Sequence, residues 1–395
     1  MINAWLDDNW DPALSVAQWW ARLADAGLSH PMLPEPWGRG WSADQTGELV
    51  AAMVARGALG PPTGLGLVLA APTLLMHATP ELSARLVPSI LNGQQAWCQL
   101  FSEPGAGSDL AGLATRAERD GDEWVITGQK VWTSLGQWAD YGMLLARTDP
   151  DAPKHQGITY FALPMHQPGV EVRPLREMTG RAMFNEVFLT EARVPADHVV
   201  GDIGGGWAVA NTTLMVERGS AGGGNVAAPT AAVPGTIAGH LEMRAGEFAG
   251  QPSPAGEGVV DAHQLSELID LARKRGVTHD RVLRQELARL YTLITIAAWQ
   301  LDAMKVAVAP GAGNIAKLRN SEIVRQARDV GCRILGADAM VGDGMVQDLT
   351  LMSPAPSIYG GSDQVQRNII GERVLGLPKE PGPHKDTPFR DLLRN

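Results

Sequence analysis

The chain has 395 residues, 45% of them hydrophobic and 19% charged, and a formal net charge of −10. That length exceeds what one hydrophobic core usually supports, so two or three packed units are expected. The acidic balance excludes nucleic acid as the principal partner, since a phosphate backbone needs a basic face, but leaves open a small anionic ligand held by local arginines or helix N-termini.

Three zones follow in chain order. Residues 1–95 read as a helical domain. Val16, Trp19, Trp20 and Leu23 recur at helical spacing, with Gly27 as a stop. Ser42 reads as the cap of a second helix over 42–59, whose apolar stripe is Leu49, Met53 and Val54. Residues 96–205 change to short β-favouring runs at Glu123–Thr127, Tyr141–Arg147, Gly157–Leu163, Val170–Leu175 and Asn185–Thr190, with a turn at Asp120-Gly121-Asp122. Their spacing predicts a small antiparallel β domain. Residues 206–395 return to helix. Leu287, Leu290, Ile294, Ala297, Leu301, Met304 and Val308 step by three and four, and Ile323, Val324, Ala327, Val330 and Ile334 share one side of a second helix, which predicts a C-terminal bundle. The heptad stripe fits an intersubunit seam and an intramolecular core equally well. Residues 219–258 are rich in Gly, Ala and Pro and read as an interrupted helix and mobile loop.

Cys98 and Cys332 have no CxxC or metal spacing, so a disulfide framework is excluded, as fits a reducing compartment. The opening MINAWLDDNWDP has no basic and apolar leader, and the longest apolar stretch, Leu65–Met76, contains Pro72 and is too short to span a bilayer. A cytoplasmic protein without a transmembrane segment is expected. The histidines are scattered without metal-ligand spacing, and neither a GxSxG elbow nor a P-loop occurs.

Two runs carry chemistry. FSEPGAGSD (101–109) combines glycines, which let a ligand approach the backbone, with the Ser102 and Ser108 hydroxyls; alone it is also an ordinary surface turn. VITGQKVWTS (125–134) reads as a strand, a turn and a second strand ending in Trp132-Thr-Ser, suited to a flat hydrogen-bonding ring, or else as a hairpin with a core tryptophan.

With ITGQKVWTS (126–134), FNEVFLTEARVP (184–195), GGGWAVANTTLMVER (204–218) and IYGGSDQVQRNIIGERVLGLP (358–378), the FSEPGAGSD run gives five segments in one order, and in them the sequence resembles the acyl-CoA dehydrogenase family across almost its whole length. The resemblance implies an α+β fold with an N-terminal helical domain, a middle antiparallel β domain and a C-terminal four-helix bundle. It also implies FAD between the β domain and the bundle. Phe101, Ser102 and Ser108 would then lie along the flavin and the CoA thioester. Trp132 and Ser134 would meet the isoalloxazine ring, and Ser362 and Gln364 the adenosine half, although Ser362 also fits as a helix cap.

The reaction needs a carboxylate to take the α proton while hydride leaves the β carbon for the flavin. Many members place that Glu directly after the tail Tyr. Here Gly360 follows Tyr359, and Glu217-Arg218 stands where a minority of the family puts the base. Glu217 is therefore the candidate base; without the resemblance it reads as an exposed helical Glu. Gly360 keeps a backbone N–H for the thioester carbonyl, and Arg218 resembles a contact to CoA or else is a surface Arg. The family's Arg-x-x-Phe-Gly run is replaced by Ala272-Arg-Lys-Arg-Gly-Val-Thr-His279, with Arg273 or Arg275 as substitutes for its intersubunit FAD contact, and a later double glycine by Arg333-Ile-Leu-Gly-Ala337. The LxxER segment, the YGG tail and the Gly-rich break resemble sterol side-chain dehydrogenases and suggest a bulky or branched acyl-CoA. An electron-transfer flavoprotein as acceptor and a homo- or hetero-oligomeric dimer or tetramer are implied. The alternatives are a half-site partner subunit and a flavin oxidase or monooxygenase.

Overall fold

The computed structural model describes residues 2–219, 231–249, 251, 260–307, 309–379 and 386–392, the side chains of Arg218 and Lys305 apart. The first helix, α1 (Ile2–Asn9), precedes two helices that start where a serine can cap them. Ser15 and Ser42 each form a capping box with the glutamine three residues on, opening α2 (Val16–Asp25) and α3 (Ala43–Ala55). Val16, Trp19, Trp20 and Leu23 are all buried, and the two indole N–H groups donate to the carbonyls of Leu59 and Gly60 at 2.7 and 2.9 Å. Val54 departs from its expected stripe and is exposed, because Leu49 and Met53 share a face four residues apart while position 54 turns away. The apolar stretch around Pro72 divides into a π-helical turn over Gly66–Ala70 and α4 (Ala71–His77), followed by α5 (Pro80–Leu91).

The middle zone is a mixed sheet rather than an antiparallel one. Its strands are β1 (Trp97–Leu100), β2 (Arg116–Asp120), β3 (Glu123–Ser134), β4 (Tyr141–Arg147), β5 (Ile158–Pro164), β6 (Val170–Leu175), β7 (Phe184–Pro195) and β8 (Val199–Val200), in the order β6-β7-β3-β2-β4-β5-β8 with β1 also on β4. β1 runs parallel to β4, and β2 meets β4 in parallel at Arg116 and Arg147. The cause is local: Asp140 and Tyr141 both donate to the Ala96 carbonyl, so β1 and β4 start side by side, and the long crossover between them permits a parallel pair. The predicted hairpin at 125–134 is one continuous strand. Gly128 is not a turn; a Cβ there would lie 2.3 Å from Thr115 Oγ1, so glycine serves the close approach of β2.

The C-terminal helices are α6 (Gly206–Gly219), α7 (Ala245–Phe248), α8 (Ala262–Lys274), α9 (Arg281–Val306), α10 (Ala312–Leu335), α11 (Met345–Met352) and α12 (Asp363–Ile369). α10 runs through their middle, against α6, α8, α9, α11 and α12. Ile323, Val324, Ala327, Val330 and Ile334 are buried with Leu290, and Leu287, Ile294 and Ala297 pack against them, so this part of the heptad stripe faces the chain's own core. Val308 lies outside the described residues.

The expected mobile loop is, over 231–249, a strap on the N-terminal helices. Val16 and Ala17 donate their otherwise orphaned first-turn N–H groups to Met243 and Leu241, and Ala245 and Gly246 donate to Leu14 and Pro12. Ala232, Leu241, Ala245 and Phe248 join Trp19, Trp20 and Leu23 in one apolar cluster. The glycines permit contact: a Cβ on Gly246 would lie 2.8 Å from Pro12, and one on Gly235 2.6 Å from Ala96 Cβ. The remainder of the insert, 220–230 and 252–258 with residue 250, lies outside the described residues.

Candidate active site

β3 loses register between Lys130 and Thr133, and Trp132 fills the bulge with φ +61°. A left-handed backbone costs a non-glycine residue about 1–2 kcal/mol. It throws the indole out of the sheet, 61% exposed and edge-on to Phe184 at 5.9 Å, so Trp132 is not a core tryptophan. Thr133 and Ser134 resume pairing with Asn185 and Phe184, and Ser134 is half-buried. Asn185 donates to the Thr133 carbonyl and to Gln137, while its own Oδ1 and Thr133 Oγ1 are buried without a partner among the described residues.

The 101–109 loop is bolted to this strand from inside. Lys130, fully buried, donates from Nζ to the Phe101 carbonyl at 3.1 Å and to Glu103 Oε1 at 2.9 Å. Glu103 also accepts the N–H groups of Ala114 and Thr115. Burial works to raise the Glu103 pKa, but the Lys130 charge and these hydrogen bonds outweigh it and hold the carboxyl below its usual range. Val131 N–H donates to the Ser102 carbonyl, which brings Phe101 and Ser102 directly beside Trp132. Ser108 is exposed at the far end of the loop, next to Asp109, which pairs with Lys154 at 2.7 Å.

Phe101 connects this corner to α6. Its buried ring lies edge-on to Tyr160 at 5.9 Å, and Tyr160 Oη is 3.3 Å from Thr213 Oγ1, which also meets Thr73 at 3.0 Å. Glu217 stands one turn beyond Thr213 on the same face of α6, half-buried. The side chain of Arg218 lies outside the described residues.

The tail approaches through α10, against which both α6 and the segment before Gly360 pack. Gly360 and Gly361 both have positive φ, +60° and +78°, and the Gly360 carbonyl accepts from Gln366 Nε2 at 2.6 Å. Ser362 Oγ caps α12 by accepting from Val365, and Gln364 is exposed. The next residue, Asp363, was not singled out in the sequence. It is buried, with Lys317 Nζ and Arg325 Nη1 each at 2.9 Å. Burial opposes its charge, but hydrogen bonds from Lys317, Arg325 and Ser321 win and hold its pKa down at about 2.

Of the two arginines offered for the intersubunit contact, Arg273 pairs with Asp270 on its own helix. Arg275 borders a cleft of about 480 Å³ between α8 and α11, bonded to Asp338 at 2.7 Å. Arg333 pairs with Glu286 of α9. The structure thus joins Phe101, Ser102, Trp132 and Ser134 in one corner, connects α6 and Glu217 to it, and sets Gly360, Ser362 and Gln364 on the tail beside α10.

A helical unit, a mixed sheet and a helical bundle follow one another along the chain, and Trp132 turns outward from the sheet. The chain belongs to the acyl-CoA dehydrogenase family: residues 98–191 match its middle domain and residues 262–375 its C-terminal domain. It is 39% identical over 370 residues to acyl-CoA dehydrogenase IpdE1 of Mycobacterium tuberculosis, covering 92% of this chain and 88% of that protein. Among solved structures it resembles the Tcur3481-Tcur3483 steroid ACAD (25% identity, TM-score 0.71, 96% of each chain). It also resembles the ChsE4-ChsE5 complex from M. tuberculosis (26% identity, TM-score 0.68, 92% of this chain and 90% of that one). The chain is an acyl-CoA dehydrogenase by this membership, and no helix among its described residues is long and apolar enough to cross a membrane.

Proposed function

We propose that the chain catalyses FAD-dependent α,β-dehydrogenation of an acyl-CoA to the 2-enoyl-CoA, with Glu217 as the base. The observation that carries the proposal is the position of Glu217: half-buried, one turn beyond Thr213, on the helix that Tyr160 connects to the Phe101 corner.

The residues present fit FAD. A large indole held outward at an energetic cost, with the half-buried Ser134 hydroxyl two residues on, offers an apolar face and a hydrogen-bonding group to a flat polar ring. Bound there, FAD would supply the acceptor for the hydride. Trp132 and Ser134 would border its ring, Phe101, Ser102 and Ser108 the ring and the thioester, and Ser362 and Gln364 its adenosine half. Glu217 takes the α proton, and the Gly360 N–H donates to the thioester oxygen as negative charge gathers there. Arg218 holds CoA through its fixed positive charge.

A bulky or branched acyl group, as in sterol side chains, is the favoured substrate, supported by likeness to the Tcur3481-Tcur3483 steroid ACAD. An electron-transfer flavoprotein is the proposed acceptor. A half-site reading, in which a second polypeptide completes the FAD site, draws support from Arg275, whose charge Asp338 already meets, and from likeness to a two-component complex.

Anaerobic titration with a panel of straight, branched and steroid acyl-CoAs tests the reading. The oxidised flavin band should bleach with wild type, most with bulky acyl groups. Glu217→Gln should retain flavin and lose bleaching by about a hundredfold or more in rate, the usual scale for removing a general base. Retained bleaching in that variant would remove Glu217 from the mechanism, and rapid oxygen consumption would favour an oxidase.

A further inference from the structure

Two adjacent glycines are a poor way to hold a catalytic N–H. Gly360 and Gly361 each occupy the left-handed region, and among the described residues nothing lies within 4 Å of where a Gly360 Cβ would be. Glycine has wide backbone freedom, so this turn needs an external restraint to keep one orientation. Gln366 supplies it. Its side chain is fully buried and crosses over Gly361 so closely that a Cβ there would lie 2.8 Å from Nε2. The amide then donates to the Gly360 carbonyl at 2.6 Å. Its other end is fixed as well, since buried Asn314, in the first turn of α10, donates from Nδ2 to Gln366 Oε1 at 2.5 Å. The helix carrying Gln366 begins at Asp363, clamped by Lys317 and Arg325 from the same α10.

We infer that Gln366 is a positioning residue, and that the relay from Asn314 through the Gln366 amide to the Gly360 carbonyl fixes the glycine turn that aims the Gly360 N–H at the thioester. The inference rests on the proposed role of Gly360. The Gln366 amide is suited to the task because it accepts at one end and donates at the other. A carboxylate of the same shape accepts from Asn314 and cannot donate to Gly360.

The test compares wild type with Gln366→Glu, and with Asn314→Asp as a second variant, each as the flavin-loaded assembly. The first readout is infrared difference spectroscopy of the bound 2-enoyl-CoA product of whichever panel substrate wild type bleaches fastest. A hydrogen bond from Gly360 lowers the carbonyl stretch. The second readout is the split between kcat and KM. In both variants the carbonyl stretch should return toward its value in free solution, and kcat should fall by about a hundredfold, the scale of an ångström-level misplacement, with KM nearly constant. The double variant should be no worse than the worse single one, because the relay acts as a unit. A Gln366→Glu or Asn314→Asp enzyme that loads flavin and keeps both the wild-type stretch and kcat overturns the inference while leaving the role of Gly360 intact. A wild-type enzyme with no lowered stretch overturns the Gly360 reading itself, and the relay with it.

Discussion

Asp363 shows how one buried carboxylate can anchor the helix after the Gly360–Gly361 turn and tie stability to pH. Its pKa falls from 3.8 to about 2 because two cations and a serine hydroxyl stabilise the charged form more than burial penalises it. A depressed carboxylate contributes stability that is complete above its unfolded pKa and is lost as pH falls through its folded pKa. The window therefore runs from about pH 4 down to about pH 2, and the contribution is about 2 kcal/mol. In urea titrations across that range, wild type should lose that amount more than Asp363→Asn does. The variant should also be less stable at neutral pH, where Lys317 and Arg325 keep their charge and lose their partner. Parallel acid profiles would detach Asp363 from the titration. Neither this cluster nor the Glu103–Lys130 pair was legible in the sequence. Their members stand inside quoted motifs, yet their partners are separated by 46, 38 and 27 residues, and only tertiary packing brings them together.

Elements were legible where one local rule governed them. Ser42 starts a helix as read because the cap is a short-range device, and the Tyr141–Arg147 and Val170–Leu175 strands match the structure at both ends because turns flank them. Reading failed where a glycine served packing. Gly128 suggested a turn and instead admits Thr115, and the Gly-rich insert suggested a loose loop whereas 231–249 completes the N-terminal core. β1 and β2 were not anticipated, and their parallel pairing with β4 depends on a crossover that has no periodic signature. The strap makes a direct prediction. Phe248 is buried among the cluster and lies beside the His240 ring at 4.9 Å. Phe248→Ala should cost about 3–5 kcal/mol in a denaturant titration. A loss below 1 kcal/mol would mean that the strap merely rests on the N-terminal helices.

At the scale of the whole molecule the outer face of α9 stands apart. Ala288, Tyr291, Ala298, Trp299, Ala303 and Val306 are exposed, and at about 100° per residue they fall on the side of the helix opposite the buried Leu283, Leu290 and Leu293. Tyr291 and Trp299 are 61% and 67% exposed. Large exposed aromatics are favoured anchors of subunit interfaces. The heptad stripe read from the sequence belongs to the inner face, where Leu287, Leu290, Ile294 and Ala297 fill the bundle, and the outer face with Tyr291 and Trp299 is a separate set of residues that we propose meets a second subunit. Trp299→Glu should leave the far-UV circular dichroism of the bundle unchanged, because the side chain fills no core. It should lower the molar mass measured by light scattering to that of the single chain, since a desolvated carboxylate in an apolar seam costs several kcal/mol. If the mass of the assembly stays at the wild-type value, the seam runs elsewhere and the apolar face of α9 has another cause.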